Sequence, residues 1–347
     1  MEFKIGNTIV GPNRPTYFIA ELSCNHNGSL DKALEIVRAA HKAGANAVKT
    51  QTYTGDTITL KSDKPWFQLK GTNWDSKGTL WDLFNGAHTP WEWNKIIKEE
   101  TEKLGMDFFS SPFDETAVDH LEELGVTAYK VASMEIVDIP LIRKIASKKK
   151  PVIVSTGMAS LSEIEEAVRN LKEYGATGVT LLKCTSAYPA KPEDAHLATI
   201  KNLSETFNVL AGLSDHTLGI GVPVTACALG ARIVEKHFIM DRKEGGPDSA
   251  FSLEPQEFKE MIDTVRVAEK AIGEVKYGGV QGEVRIFRRS LFVVKDMKKG
   301  DEFVEGVNIR SIRPGDGLHT RHMWDVIGRK ASKDIEAGTP MSWNLVE

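Results

Sequence analysis

The 347-residue sequence has few cysteines, no strong excess of charge of either sign and no long apolar run. Its cysteines, Cys24, Cys184 and Cys227, lie far apart and form no CxxC pair, which argues against a disulfide framework or a zinc cluster and predicts free thiols. The 44 Lys and Arg residues against 48 Asp and Glu residues give a net charge of -4, so the strongly basic balance typical of nucleic-acid binding is missing. A local basic pocket for a small phosphate ester remains compatible with this balance.

Membrane-spanning and dinucleotide-binding signals are also missing. The longest apolar-looking run, residues 222–234, is interrupted by Thr225, Gly230 and Arg232, so it is too short and too polar to cross a bilayer. The N-terminal residues carry charge early and contain no apolar stretch of signal-peptide length. No GxGxxG motif opens a helix after the first predicted strand. We therefore expect a cytoplasmic protein that binds neither membranes nor nucleic acid.

Short strand-like runs alternate with longer helical patterns over roughly 270 residues. The eight candidate strands begin at Tyr17, Asn46, Asp107, Ala128, Pro151, Gly178, Val209 and Arg232. Ser29 is a good N-cap for the first helix, and glycines such as Gly44 and Gly105 stand where helices should end. Eight such alternations predict a (β/α)8 TIM barrel, which we favour over a doubly wound open sheet.

Polar or ionisable residues occupy the C-terminal end of each candidate strand. They are Glu21, Lys49, Gln51, Ser110, Ser111, Lys130, Ser133, Ser155, Lys183, Thr185, Ser214, His216, Glu235 and His237. In a barrel these ends converge on one mouth, where active sites are built. A purely structural barrel needs only apolar residues and helix caps there. We therefore expect the mouth to hold an active site.

Two histidines, His216 and His237, end the seventh and eighth strands, which are neighbours in a closed barrel. Two imidazoles at adjacent strand ends can share one divalent cation, with water or substrate filling the other positions. The simpler interpretation is two histidines that are hydrogen-bonded in the mouth. Asp215 and Glu235 nearby are candidates for contacts behind the metal ligands or for a base. From the residues alone, both interpretations stay open.

Four lysines lie on predicted strands, where an unpaired ammonium is costly to bury. Strand alternation places Lys49, Lys130 and Lys183 near the polar mouth, whereas Lys236 is expected to point outward. Together with the serine and threonine hydroxyls, the first three predict a cationic pocket for a phosphate and a carboxylate on a small molecule. A Schiff-base lysine, or simple ion pairs with neighbouring glutamates, are the alternatives.

Three segments lie outside the alternating pattern. Residues 3–11 read as a hairpin with a Gly-Asn turn, which we expect to plug the far end of the barrel. The connection 54–89, which holds Trp66, Trp74 and Trp81, is longer than a usual βα loop and is a candidate lid or substrate loop. The third segment, after the barrel, is described next.

The end of the chain changes character. Residues 273–286 are rich in glycine and lack apolar periodicity, which predicts a linker. The sequence beyond it has short strand-like runs broken by Gly, Pro and Asp turns. We therefore expect a barrel domain over residues 1–272 and a small β-rich domain over residues 287–347.

Eight ordered motifs resemble those of the sialic acid synthase family. They are AELSCNHNGS, NAVKTQTY, FFSSPFD, YKVAS, VSTGM, CTSAYP, GLSDHTLG and IVEKHF. The resemblance covers essentially the whole chain, because that family joins a (β/α)8 barrel through a glycine-rich linker to an antifreeze-protein-like (SAF) domain. It implies an enzyme that joins phosphoenolpyruvate to an N-acetylated amino-sugar aldehyde and releases phosphate.

The resemblance also implies roles for individual residues. A divalent metal, manganese, magnesium or cobalt, is expected on His216 and His237. Around phosphoenolpyruvate, the resemblance places Ser111, Lys130, Ser133, Ser155, Cys184, Ser186 and Ser214. At the reaction centre or the sugar it places Glu21, Lys49, Gln51 and Tyr188, and the catalytic group is expected to be Glu21, Lys49, Lys130 and Glu235. Either glutamate is a candidate acid or base. Arg313 matches an arginine that a partner subunit offers to the sugar, which implies a domain-swapped homodimer.

Four stretches resemble one subgroup of the family, the pseudaminic acid synthases. They are TYTGDTITL, TLWDLFNGAHTPWEWN, GGPDSAFSLEP and FRRSLFVVKD. N-acetylneuraminate synthases usually have Asn-Ala-Tyr-Pro where this chain has Ser186-Ala187-Tyr188-Pro189. The expected sugar is therefore 2,4-diacetamido-2,4,6-trideoxy-altrose. N-acetylneuraminate or legionaminic acid synthesis, and a catalytically silent sugar-binding protein, are the alternatives.

Overall fold

The computed structural model describes residues 2–71, 76, 78–277 and 284–347. The chain divides into two compact units, Met1–Gly273 and Glu274–Glu347. In the first unit, eight parallel strands close into a barrel, and their order around it follows their order in the chain. The closed barrel confirms the predicted fold and excludes the open doubly wound sheet.

Each barrel strand begins at its predicted position or one residue after it. In chain order, a hairpin of β1 (Phe3–Ile5) and β2 (Thr8–Val10) precedes the barrel strands β3 (Tyr17–Glu21), β4 (Ala47–Thr52), β5 (Asp107–Pro112), β6 (Tyr129–Val131), β7 (Pro151–Ser155), β8 (Gly178–Cys184), β9 (Leu210–Asp215) and β10 (Ile233–His237). β10 pairs with β3 in parallel, which closes the ring.

The helices begin and end where local sequence signals predict. They are α1 (Leu30–Ala43), α2 (Gly55–Ile58), α3 (Leu80–Ala87), α4 (Trp93–Lys103), α5 (Glu115–Glu123), α6 (Ile139–Ser147), α7 (Leu161–Tyr174), α8 (Ala198–Phe207), α9 (Gly221–Ala228) and α10 (Pro255–Ile272). The Ser29 hydroxyl accepts the Lys32 N–H at the start of α1, and Gly44 ends that helix in the left-handed region with φ 95°. In the described part of the chain, no helix has the length and apolar character needed to span a membrane.

The N-terminal hairpin lies against the N-terminal ends of the barrel strands. The Phe3 ring packs on Gly178 at the start of β8 so closely that a Cβ there would be 2.4 Å from it. Gly6, in the turn, has φ 53° and approaches the carboxylate of Asp107 at the start of β5. Ile5 is fully buried. The hairpin therefore covers the end of the barrel opposite to the polar mouth, as expected.

The long connection 54–89 contains two of the helices, α2 and α3. The Thr79 hydroxyl accepts the Asp82 N–H in a capping box that starts α3. The Trp81 indole donates to Asp56 at 2.8 Å and so ties α3 to α2. Trp74, which the sequence analysis placed in this connection, lies outside the described residues.

The second unit has its own apolar core. β11 (Ser290–Val293) and β12 (Ile309–Ile312) pair in an antiparallel arrangement, and a short helix α11 (Met323–Val326) follows. In the part of this unit that the structure describes, the remaining backbone pairing consists of isolated bridges, so its regular strands are fewer than the β-rich prediction implied. Residues 278–283 of the predicted linker lie outside the described residues.

Candidate active site

A cavity of about 560 Å³ opens at the C-terminal ends of the barrel strands, a size typical of small-molecule sites. The predicted site residues that line it are Lys49, Gln51, Lys130, Ser133, Ser155, Cys184, Tyr188, Ser214, His216, Glu235 and His237. Glu21, Ser111 and Ser186 do not line it. Glu21 and Ser111 instead contact Lys49 from behind, and the Ser186 hydroxyl lies beside Gly157.

Strand alternation decides which side chains reach this cavity. Cys184 lines it, so the preceding Lys183 lies on the other side of β8 and donates to the Cys184 carbonyl at 2.9 Å. The prediction that Lys183 belongs to the mouth was wrong. Lys236 follows the predicted rule: it is fully buried outside the barrel, where it pairs with Asp215. Asp215 is thereby drawn away from the two histidines that it was expected to support.

The floor of the cavity holds one ammonium between two carboxylates. Lys49 contacts Glu21, and its Nζ lies 3.7 Å from Oε1 of Glu235. Although burial alone would lower the pKa of Lys49, the two carboxylates hold it above its ordinary value. Burial raises the pKa of Glu21, and the Lys49 ammonium offsets only part of that effect. Two buried carboxylates therefore share a single cation at the base of the cavity.

A second cation and several hydroxyls lie on the neighbouring strands. Lys130 donates to Ser155 Oγ at 2.6 Å and to the Val131 carbonyl at 2.8 Å, and burial lowers its pKa. The Gly157 N–H donates to Ser133 Oγ at 3.2 Å. An ammonium and hydroxyls on neighbouring strands form a site suited to a phosphate or a carboxylate.

Gly157 packs closely against three residues of the predicted site, although it is not among the predicted residues itself. A Cβ at this position would lie 2.4 Å from Ser186 Oγ, 2.9 Å from Ser133 Oγ and 3.2 Å from Cys184 Sγ. Any residue other than glycine would bring its Cβ too close to these three atoms. The Ser186 hydroxyl is buried and has no hydrogen-bond partner among the described residues. The available signal was a glycine two residues after the end of a buried strand.

The two histidines meet at the mouth with their ring centroids 5.3 Å apart. His216 Nδ1 lies 3.0 Å from the Thr185 carbonyl, and His237 Nδ1 lies 3.4 Å from the carboxylate of Asp248. A carbonyl only accepts, so His216 carries a ring proton on Nδ1 and can offer Nε2 to a cation, whereas His237 Nδ1 is buried and has no hydrogen-bond partner among the described residues. Phe251 packs edge-on against both rings.

This donor set fits a divalent cation that water or substrate would complete. Outer contacts to a carbonyl and a carboxylate are the usual way in which a protein orients metal-binding imidazoles. Among the residues that the structure describes, no group of three or more His, Cys, Asp or Glu side chains forms a complete metal cage. An open site with two protein ligands would leave coordination positions for a reacting group.

Asp248, Phe251 and Glu135 were absent from the predicted site. All but Phe251 line the cavity. The Ser23 hydroxyl donates to Asp248. One carboxyl oxygen of Glu135 has no partner in the described part of the chain, and burial raises the pKa of this residue to about 7. The stretch GGPDSAFS had been noted only as a mark of the subgroup.

The opposite side of the cavity is apolar. Leu80, Leu83, Phe84 and Ala87 of α3 line it, together with Ile58, Leu69 and Phe113. We call the four α3 residues the apolar wall. The Phe84 ring packs edge-on against Tyr53, with centroids 5.7 Å apart. The connection 54–89, predicted to be a lid or substrate loop, thus supplies one side of the cavity.

Comparison with known proteins identifies the family. The sequence model of the NeuB family matches residues 36–277, and that of the SAF domain matches residues 288–347. The chain belongs to the NeuB family. Both the predicted family and the predicted C-terminal domain are therefore confirmed.

Relatives of this NeuB family member are similar over nearly their whole length. It is 47% identical to the pseudaminic acid synthase of Campylobacter jejuni strain 81-176, over 96% of this chain and 97% of that protein. It is 36% identical to the N,N'-diacetyllegionaminic acid synthase of Legionella pneumophila, over 97% and 96%. The solved N-acetylneuraminic acid (sialic acid) synthetase of Leptospira borgpetersenii, in complex with citrate, has a TM-score of 0.72 and 34% identity, covering 81% of this chain and 93% of that one.

Arg313 belongs to the second unit. Its side chain is exposed, and within the described ranges it has no hydrogen bond or ion pair to another residue. The remaining predicted residues all belong to the barrel.

Proposed function

We propose that this NeuB family member is a pseudaminic acid synthase, which condenses phosphoenolpyruvate with 2,4-diacetamido-2,4,6-trideoxy-altrose and releases phosphate. The observation that carries the proposal is one cavity that combines an anion site, two imidazoles and shared buried carboxylates with an apolar wall. The 47% identity to a pseudaminic acid synthase, against 36% to a legionaminic acid synthase, supports this choice of sugar.

The anion site would hold phosphoenolpyruvate. The Lys130 ammonium and the Ser133 and Ser155 hydroxyls, which line the cavity, would bind its phosphate and carboxylate. These groups offset the charge of a substrate that would otherwise resist burial. Cys184 and Ser214 border the same site.

His216 and His237 would hold the divalent metal, which we expect to be manganese, magnesium or cobalt. When bound, the cation supplies a Lewis acid beside the sugar aldehyde. The Thr185 carbonyl orients His216, the Asp248 carboxylate lies 3.4 Å from His237 Nδ1, and Phe251 packs against both rings.

The reaction combines three bond changes with proton transfer. C3 of phosphoenolpyruvate forms a bond to the aldehyde carbon, water adds at C2, and the tetrahedral intermediate releases phosphate. Glu235 lines the cavity whereas Glu21 lies behind Lys49, so we assign proton transfer to Glu235 and the positioning of Lys49 to Glu21. Gln51 and Tyr188 would contact the sugar.

Phosphate release with a panel of aldehyde sugars tests the proposal. The panel contains 2,4-diacetamido-2,4,6-trideoxy-altrose, its gulo and manno relatives, and N-acetylmannosamine. We expect the altro sugar to have the highest kcat/KM. A preference for N-acetylmannosamine would mean a neuraminate synthase, and preference for another bis-acetamido sugar a legionaminic-type enzyme. Absence of phosphate release with every sugar would leave a silent sugar-binding protein.

We further propose a domain-swapped homodimer, in which Arg313 of one subunit reaches the sugar in the other. An exposed arginine that has no hydrogen bond or ion pair among the described residues of its own unit supports this role. In this arrangement residues 273–286 link a barrel domain, 1–272, to a second domain, 287–347, and a linker rich in glycine suits such an exchange. The cytoplasm remains the expected location.

Complementation between two inactive variants tests the exchange. Arg313→Ala and His237→Ala chains are refolded together so that the subunits mix. A mixed dimer then has one intact site, and since random mixing makes about half the dimers mixed, roughly a quarter of the wild-type activity should return. No recovery, with subunit exchange shown by mass spectrometry, would exclude the arrangement in trans.

A further inference from the structure

The apolar wall is built from a helix face that the described residues around it bury only in part. Leu80, Leu83, Phe84 and Ala87 are spaced at i, i+3, i+4 and i+7, which is the stripe that an amphipathic helix normally buries. None of the four is fully buried, and all four line the cavity. The stripe therefore faces the space that a ligand would occupy.

Polar contacts outside the stripe hold this wall in position. The Thr79–Asp82 capping box begins α3, and the Trp81 indole bonds Asp56 on α2. The Phe84 ring is supported by Tyr53. A surface held in this way presents its apolar groups to a ligand without having to order them first.

The chemistry of the two sides of the cavity separates the two substrates. Phosphoenolpyruvate carries several negative charges, so only the side with Lys49 and Lys130 suits it. The apolar side has no donor or acceptor on α3 that faces the cavity. It suits a ligand part that consists of methyl groups, and a hydroxyl placed against it would lose its hydrogen bonds to water.

We infer that the apolar wall is the specificity surface of the sugar site, and that it receives the C6 methyl group of the 6-deoxy sugar. This inference rests on the proposed function, because it assumes that the sugar binds between the two sides. Leu83 and Ala87 select against sugars with a hydroxyl at C6, since the wall offers that hydroxyl no partner. The expected discrimination is roughly tenfold to a hundredfold in kcat/KM.

The test compares two sugars that differ only at C6: the 6-deoxy bis-acetamido aldehyde and the same sugar with a C6 hydroxyl. Leu83→Asn places an amide of similar size on the wall. We expect the ratio of the two kcat/KM values to fall at least tenfold, with an unchanged KM for phosphoenolpyruvate. Leu60→Asn is the matched control, because Leu60 lies in the same connection, is 63% exposed and does not line the cavity.

Ala87→Ser adds a single hydroxyl to the same stripe and serves if Leu83→Asn does not fold. It should lower the ratio by about threefold to tenfold. An unchanged ratio in both variants, or an equal loss for both sugars, would overturn the inference and leave a packing role for α3. The proposed function fails separately, when the wild-type protein prefers N-acetylmannosamine.

Discussion

Glu235 and Lys236 are consecutive residues of β10, and both are buried, yet their side chains lie on opposite sides of the barrel wall. Outside, Lys236 pairs with Asp215 and donates to the Thr217 carbonyl, while Asp215 accepts the N–H and hydroxyl of Thr217. Inside, Glu235 shares Lys49 with a second carboxylate.

The two sides show two kinds of buried charge: one that supports the fold and one that serves a site. On the outside, each charged group has an opposite charge and further hydrogen bonds. On the inside, Oε2 of Glu235 has no hydrogen-bond partner among the described residues. A buried polar group that lacks a partner is costly, and such groups concentrate at sites that a ligand completes. The comparison predicts that inner substitutions change activity and outer ones change stability.

The largest effect is expected at the inner imidazoles. Chelation of divalent metal, or His237→Ala, should lower the rate of phosphate release by about four orders of magnitude, because the several kcal/mol supplied by a bound cation are lost. In the absence of metal, His237→Ala and the wild-type protein should have the same unfolding temperature. His41→Ala, at an exposed histidine of α1, is the control. Full activity in a metal-free sample would contradict the assignment.

The outer ion pair should respond in the opposite way. Lys236→Met leaves the Asp215 carboxylate buried without its cation, so the free energy of unfolding should fall by about 3–5 kcal/mol. Replacing both partners in Lys236→Met/Asp215→Leu should recover most of that loss. Denaturant unfolding curves give both values. If the separate losses in Lys236→Met and Asp215→Leu simply add in the double variant, the pair is not coupled.

Removal of an inner carboxylate should affect catalysis much more than stability. Glu235→Gln is expected to lower kcat/KM about 100-fold, the ordinary contribution of a proton-transfer group. Its free energy of unfolding should fall only modestly: although burial alone would raise the pKa of Glu235, Lys49 and Lys130 hold it below its ordinary value, and the amide loses that attraction. Steady-state kinetics and thermal unfolding test both parts, and a large loss of stability would instead indicate a structural role.

The smallest effect concerns Glu135. Burial raises the pKa of this residue to about 7. The native state then binds more protons than the unfolded state between the two pKa values, so this group destabilises the protein as the pH rises. Glu135→Gln should therefore be more stable than wild type by roughly 2 kcal/mol at pH 8, with little difference at pH 5. Thermal unfolding at the two pH values checks this, and an equal difference at both would exclude the titration.

Local signals in the sequence were sufficient for the barrel. Strand alternation, the Ser29 cap and the Gly44 helix end depend on neighbours a few residues away, so they could be read directly. The same period placed Lys236 outside the barrel correctly and Lys183 inside it wrongly. A shift of one position moves a strand residue from the inside of the barrel to the outside. Only the register of the strands in the barrel decides which residues face inward.

The sequence by itself determined the fold, the family motifs and the residues at the strand ends, because each depends on residues that lie close together in the sequence. Only the tertiary structure decided which distant groups complete the site. Asp248 behind His237 and the close fit around Gly157 join segments that no periodicity connects. Likewise, the spacing of Leu80 to Ala87 predicts a buried helix face, but only the fold shows that this face lines the cavity, because the spacing carries no information about what lies opposite.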